Sequence, residues 1–308
     1  MTEPDLKQQV GKFYDQVGWQ SDANGLYQNA EYEDLRPVSA EYIARAHNRV
    51  NRHLSKRGRY LLDAGSGPIQ YDAYLAYSAG YQKRVCLDLS FVALQNARKK
   101  LGEKGLYVVG DIAHLPFKEE AFDGIVTLHT IHHLPMPEKE PCYLGLYRCL
   151  TPGHSLVIVD GWNEHGLGPL WDFLIRVANR LRSTKRTSAA KAPQASTAQP
   201  QSIPAHPAHR ENEGMAPGSL SGEKHGPAGT FVMKNNARWF KETFTGKLPF
   251  TILTWRSVSV RFLRAVVQPE WGGKAWLKVL YRLEEWFPHY FGENGQYPLI
   301  VITKPDRW

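Results

Sequence analysis

Three histidines, His129, His132 and His133, stand close together in the stretch TLHTIHHLP at residues 127–135. Imidazole titrates near neutrality, so His129 or His132 is suited to take a proton from a hydroxyl as a general base. As metal ligands the three would need a common face and usually a carboxylate, and none is near in sequence, so no metal is expected. The plainer alternative is a structural turn in which His133 is satisfied internally. Upstream, YLLDAGSGPIQYDAYL at residues 60–75 runs from an apolar stretch into Asp63, then Gly65 and Gly67. Glycines so placed let the backbone pass close to a bound group. Dinucleotide binding asks for a third glycine, and Gln70 stands there instead, which argues against a pyrophosphate-bearing ligand. Two further acids, Asp88 and Asp111, close the next apolar runs.

These residues need a scaffold that brings them to one edge. Short β-rich runs at 59–63, 84–89, 106–110, 122–130 and 154–160 are nearly continuous in apolar residues, as strands buried on both faces are. Helical patterns separate them. SFVALQNARKKLGEKG has Ser90 as N-cap, Leu94, Ala97 and Leu101 on one face, and Gly105 as its stop. The alternation predicts a doubly wound, mostly parallel α/β sheet. FTILTWRSVSV, an amphipathic helix around Trp276, Leu280, Leu283 and Phe287, and YPLIVIT add two strands, for seven in all. Four segments follow: a helical N-terminal cap at 1–58, a core at 59–182, an insert at 183–229 and a C-terminal part at 230–308 that completes the sheet. The insert is dominated by Ser, Ala, Pro, Gln and Gly, which cannot bury enough apolar surface to offset ordering entropy, so it is expected to be disordered.

Composition narrows the class. The formal charge is +8, but six basic residues between Arg176 and Lys191, with no acid among them, account for all but +2 of it. The basic character is local, and no nucleic-acid partner is expected. Cys86, Cys142 and Cys149 lack C-x-x-C spacing and suit a reducing cytoplasm. No apolar run approaches the ~20 residues that span a bilayer.

Taken in order, DAGSG, the acid at Asp88, GDIAHLPF, FDGIV and LTPGH before the fifth strand resemble the class I S-adenosylmethionine-dependent methyltransferases, particularly the group that includes the quinone-biosynthesis enzymes. The resemblance covers residues 59–162 closely. It implies a Rossmann-like methyltransferase fold with S-adenosylmethionine as cofactor. Carried over by position, Asp63, Gly65 and Gly67 approach the methionine part, Asp88 holds the ribose, and Asp111 accepts from the adenine amine. Leu89 and Ile112 sandwich the adenine. The third glycine is then not needed, because this cofactor has no pyrophosphate. Two departures from the pattern are Pro68 for a small residue and His154 for the second glycine before strand five.

The acceptor is narrowed by what is missing. HTIHHLP is not the N/D-P-P-Y/F motif of amino methyltransferases acting on bases. It offers no carboxylates of the magnesium-dependent kind, and DGWNEHG supplies one glutamate where protein-arginine enzymes need two. A small-molecule or lipid-linked acceptor, methylated at oxygen or carbon, remains. FYDQVGWQ resembles the helix that closes over the cofactor in these relatives, making Tyr14 and Trp19 candidates for the acceptor pocket, with Trp162 a further one. GPLWDFLIRVANRLRSTKR reads as an amphipathic helix with Leu170, Leu174, Val177 and Leu181 on one side. Packing inward is the plain reading; peripheral contact of 168–191 with an anionic membrane is the alternative. The rival functional class is a non-catalytic cofactor-binding scaffold.

Overall fold

The computed structural model describes residues 3–19, 27, 33–189 and 231–306. Residues 190–229 of the insert lie outside these. The backbone of its first residues, 183–189, continues a helix. The strands are β1 (Gly58–Ala64), β2 (Tyr81–Asp88), β3 (Gly105–Val109), β4 (Gly124–Leu128), β5 (Ser155–Val159), β6 (Phe250–Arg256) and β7 (Tyr297–Thr303). They form one sheet in the order β3-β2-β1-β4-β5-β7-β6. Strands β1 to β5 pair in parallel, and β7 runs antiparallel between β5 and β6.

Two consequences of this order position the site. The chain steps outward from β1 to β3 and then returns to β4, so a crevice opens beyond the carboxyl ends of β1 and β4. Because β6 and β5 are both antiparallel to β7, β6 runs with β5. Trp255 and Arg256 at the end of β6, and Tyr297 at the start of β7, therefore reach the same edge as the ends of β4 and β5.

Side chains alternate between the two faces of the sheet. Leu62, Leu87, Ile125, Leu156, Ile158 and Ile300 point into one core with residues of α4 (Met136–Cys149) and α6 (Ala237–Phe244). Leu61, Cys86, Val126, Val157 and Leu299 point into the other, with α2 (Ala40–Arg49), α3 (Phe91–Leu101) and Tyr74 and Tyr77. A third cluster joins α2 to α5 (Gly168–Ala189), α7 (Val260–Val266) and α8 (Gly273–Trp286).

Three local readings are corrected. Helix α3 is capped by Ser90, whose Oγ accepts from Ala93 N at 3.0 Å, but it stops at Gly102, φ +54°, while Gly105 opens β3. The residue after the last helical turn must turn left-handed, and Gly102 comes first. After the glycine turn the chain forms a 3-10 stretch, Asp72–Ser78, with Ile69 at φ +55°. Helix α5 buries Trp171, Ile175 and Ala178, and leaves Leu170, Val177 and Leu181 exposed. Trp171 wins the inward face because its Nε1 donates to Ser257 O and its ring packs on Phe262.

Beneath the crevice Asp63 and Arg84, 2% and 0% exposed, are paired: Arg84 Nη2 and Nε donate to Asp63 Oδ2 at 2.5 and 3.0 Å, and Nη1 donates to Tyr74 O. Removing one partner leaves an uncompensated buried charge. Arg84→Met should therefore lose about 3–5 kcal/mol of stability, measured by denaturant unfolding, with part restored by adding Asp63→Asn. A loss below about 1 kcal/mol would contradict the pairing.

Candidate active site

The glycine turn is fixed by backbone bonds. Gly65 N and Ser66 N donate to Leu87 O at 2.7 and 3.1 Å, and Gly67 N donates to Asp88 Oδ2 at 2.8 Å. Gly65 and Gly67 have φ +74° and +54°, where side chains are rarely tolerated. A Cβ at Gly65 would sit 2.2 Å from Thr130, and one at Gly67 3.1 Å from the Trp19 ring. The other oxygen of Asp88 accepts from Ser90 N at 2.8 Å. Burial raises the Asp88 carboxyl to about 6, against the pull of the two N–H groups.

The N-terminal segment lies across this turn. Helix α1 (Glu3–Phe13) passes into a π-helical turn, Tyr14–Gly18. Asp15 Oδ1 accepts from Ser90 Oγ at 2.5 Å, and Gly11 faces Leu89. Trp19 stacks on Tyr14 at 5.1 Å, and its buried Nε1 has no hydrogen-bond partner. Lys7 Nζ donates to Asp111 Oδ2 at 2.6 Å and also pairs with Glu138. Asp111 also accepts from Ala113 N and His114; burial opposes ionisation, but Lys7 first and these bonds next hold its carboxyl below the usual range.

The histidine turn follows β4. His132 Nδ1 lies 2.5 Å from Asp160 Oδ1, at the end of β5, and Asp160 also accepts from Gly161 N. Burial alone would raise the Asp160 carboxyl; attraction to His132 and the bond from it hold the group well below the carboxylate range. With Nδ1–H donated to a carboxylate, the lone pair of the neutral ring lies on Nε2. That nitrogen makes no hydrogen bond among the described residues. His133 differs: Nδ1 faces Phe231 O at 2.7 Å and Nε2 faces Tyr14 Oη at 2.8 Å. His129, at φ +53°, meets Trp255 and Tyr297 edge-on at 5.1 and 5.7 Å. Burial pushes both His129 and His133 down to about 3.

Residues 231–235 cross over this turn. Met233 N donates to His132 O at 2.7 Å, and Asn163 N donates to Asn235 O at 2.9 Å. Lys139, 1% exposed, donates to Met233 O and Asn235 Oδ1, and burial lowers its ammonium to about 8. Beside His129, the Arg256 guanidinium sits over the Trp255 and Tyr297 rings at 5.0 and 4.7 Å and pairs with Glu33. The buried Trp255 Nε1, Arg256 Nε and His47 Nε2 have no hydrogen-bond partner.

The structure thus gathers Gly65, Gly67, Asp88, Leu89, Asp111, Tyr14, Trp19, His129 and His132 along one edge. Three expected contacts are placed differently. Asp63 is turned down onto Arg84. Ile112, 6% exposed, is in the core beside α4. Trp162, 3% exposed, is also core, its Nε1 bonded to Gly292 O at 2.9 Å. Asp160, Lys7, Lys139 and Arg256 went unnoticed in the sequence. Asp160 alone carried a signal, since SLVIVD ends a strand in an acid as YLLD and VCLD do. Among the described residues no group of three or more His, Cys, Asp or Glu is arranged to hold a metal.

Residues 62–158 match the methyltransferase domain family. Methyltransferase GfsG of Streptomyces halstedii is 28% identical over 171 residues, half of this chain and 58% of that protein. A malonyl-(acyl-carrier protein) O-methyltransferase of Legionella pneumophila is 35% identical over 104 residues, 33% of this chain and 36% of that one. The chain thus spans well under two thirds of these curated relatives. Among solved structures, the cyclase SpnF superposes with a TM-score of 0.50 at 16% identity, covering 98% of both chains; the likeness is one of fold alone. With the domain match, the strand order and the glycine turn together, residues 62–158 form a methyltransferase domain similar to those of the class I S-adenosylmethionine-dependent methyltransferases. The site fits that cofactor: the turn would not admit a Cβ at Gly65 without displacing Thr130, Asp88 keeps acceptor capacity, and Trp19 holds an unmatched donor over the turn.

Buried neutral imidazoles make stability depend on pH. Both His129 and His133 have folded-state values of about 3, below the unfolded value near 6.5. Their contribution is complete above pH 6.5 and is lost as pH falls from there toward 3, because the unfolded chain binds the extra protons. Groups facing His129 are Asp160, His132, Arg256 and Glu33; those facing His133 are His132, Asp160 and Lys234. The two histidines should take on the order of 2 kcal/mol per pH unit from the stability between pH 6 and 5, partly offset by the Asp88 carboxyl, which is raised to about 6 and binds its proton in the folded chain. His133→Gln should remove half of the histidine contribution and flatten the slope. Reversible denaturant unfolding tests this, and a flat profile would contradict it.

Proposed function

We propose that the chain transfers a methyl group from S-adenosylmethionine to a small-molecule or lipid-linked acceptor, at oxygen or carbon, without a metal. The observation that carries the reading is the His132–Asp160 pair at the carboxyl edge, 2.5 Å apart and beside the glycine turn. When bound, S-adenosylmethionine supplies an electrophilic methyl group on a sulfonium, open to in-line displacement. Asp88 would accept from the ribose hydroxyls, Gly65 and Gly67 would give close approach, and Asp111 would accept from the adenine amine, with Leu89 beside the base. Lys7 and Trp19 close the crevice against water.

His132 Nε2 takes the proton from the acceptor as its nucleophilic atom attacks. Asp160 is a positioning residue: it fixes the tautomer and favours the imidazolium that forms. His129, depressed to about 3, is too weak a base at neutral pH and serves as a wall. With Trp255 and Tyr297 it offers aromatic surface, and the unmatched N–H groups of Trp255 and Arg256 suit oxygen atoms on the acceptor. Tyr14 closes the opposite side. A base already paired and aligned favours catalysis over a scaffold role. The protein is read as cytoplasmic; among the described residues no helix is long and apolar enough to cross a membrane.

The test is transfer of labelled methyl groups to metabolite and lipid extracts. His132→Ala should slow turnover by roughly 10²–10⁴-fold with cofactor affinity retained. Asp160→Asn should lower kcat by less and move the acid limb of its pH profile. An unchanged rate in His132→Ala would remove that residue as base.

A further inference from the structure

Helix α8 carries three rows of side chains. Leu277, Leu280, Tyr281 and Glu284 are buried. On the outside, Trp276, Val279, Leu283 and Trp286 recur at i, i+3, i+7 and i+10, the spacing of one helix face. Trp276, Val279 and Trp286 are 37, 55 and 71% exposed, and the row continues through Phe287 and Tyr290, at 55 and 54%, into α9 (Pro288–Asn294). Beside it Lys274, Lys278 and Arg282 recur at i, i+4 and i+8, all exposed.

Nothing on α8 itself neutralises that basic row. Glu284 and Glu285 pair with Arg49 and Arg52; Lys278 lies 4.0 Å from Glu41. Helix α5 repeats the pattern more weakly: Leu170, Phe173 and Val177 are 47, 54 and 39% exposed, with Arg176 alongside. Trp171 of α5 and Trp276 of α8 both pack on Phe262 of α7, so the two helices belong to one outer layer. An exposed apolar row this long marks a contact surface.

We infer that α8 and the start of α9 lie on an anionic lipid surface. Trp286, Phe287 and Tyr290 enter the boundary between headgroups and acyl chains, where amphipathic rings are favoured. Lys274, Lys278 and Arg282 meet the lipid phosphates. Charge weighs against a second copy of the chain, which would bring the same three cations to the contact with Glu41, already beside Lys278, to receive them. The inference deepens the lipid-linked branch of the proposed function and rests on it for its biological use; the binding itself needs no methyl transfer.

The full chain is sedimented with phosphatidylcholine vesicles, with and without phosphatidylglycerol. Binding is expected to the anionic vesicles only, and to weaken with salt. Lys274→Glu with Arg282→Glu should weaken it roughly fivefold or more per charge. Val279→Ser with Trp286→Ser should weaken it at least tenfold. Both double variants should keep the wild-type melting temperature and S-adenosylmethionine affinity, which separates this result from failure of the methyltransferase reading. No binding, equal binding to uncharged vesicles, or wild-type binding by the variants would overturn the inference. So would a concentration-dependent dimer that Trp286→Ser abolishes.

Discussion

The backbone N–H of Gly67 donates to the carboxylate of Asp88, and through that bond the end of β1 is tied to the end of β2. Both strands are buried on both faces, so their ends cannot shift without disturbing two cores. The bond holds the glycine turn in its left-handed conformation. The same carboxylate receives Ser90 N, and Ser90 then caps α3 and donates to Asp15 of the cap. One half-buried acid thus organises the turn, the next helix and the segment above them. Its cost is visible in the raised carboxyl, which burial holds near 6 despite two N–H donors.

The other half of the site is organised by three imidazoles in different surroundings. His129 is enclosed by aromatic rings and His133 is bonded through both nitrogens, and both are kept neutral by burial. His132 sits between them with a carboxylate behind it. The ring of His132 is thereby oriented, with Nδ1 on Asp160 and Nε2 without a hydrogen bond among the described residues. The chain returning after the insert contributes by holding the turn: Met233 and Phe231 bond to the backbone of His132 and the ring of His133.

Much of the fold was legible because the signals are local. Continuous apolar runs gave the seven strands, and β6 and β7 fall within FTILTWRSVSV and YPLIVIT. Asp88 and Asp111 were readable because each ends a strand. What was not legible depends on pairs distant in the chain. Asp63 reads as a ligand-facing acid until Arg84, from the neighbouring strand, claims it. Trp162 reads as a pocket residue until Gly292 satisfies its N–H. Arg256 and Glu33 are 223 residues apart and leave no trace of their pairing. On α5 the periodicity points to Leu170, Leu174, Val177 and Leu181, and packing against Phe262 selects Trp171 over Leu170.

The central claim is that the turn at Gly65 and Gly67, held by Asp88, binds S-adenosylmethionine. The direct measurement is calorimetric titration of the full chain with S-adenosylmethionine, S-adenosylhomocysteine and NADH, repeated on Asp88→Ala. The account predicts saturable binding of both sulfur compounds, none of NADH, and an affinity at least tenfold lower in the variant. Failure of the sulfur compounds to bind, or unchanged affinity in Asp88→Ala, would contradict it.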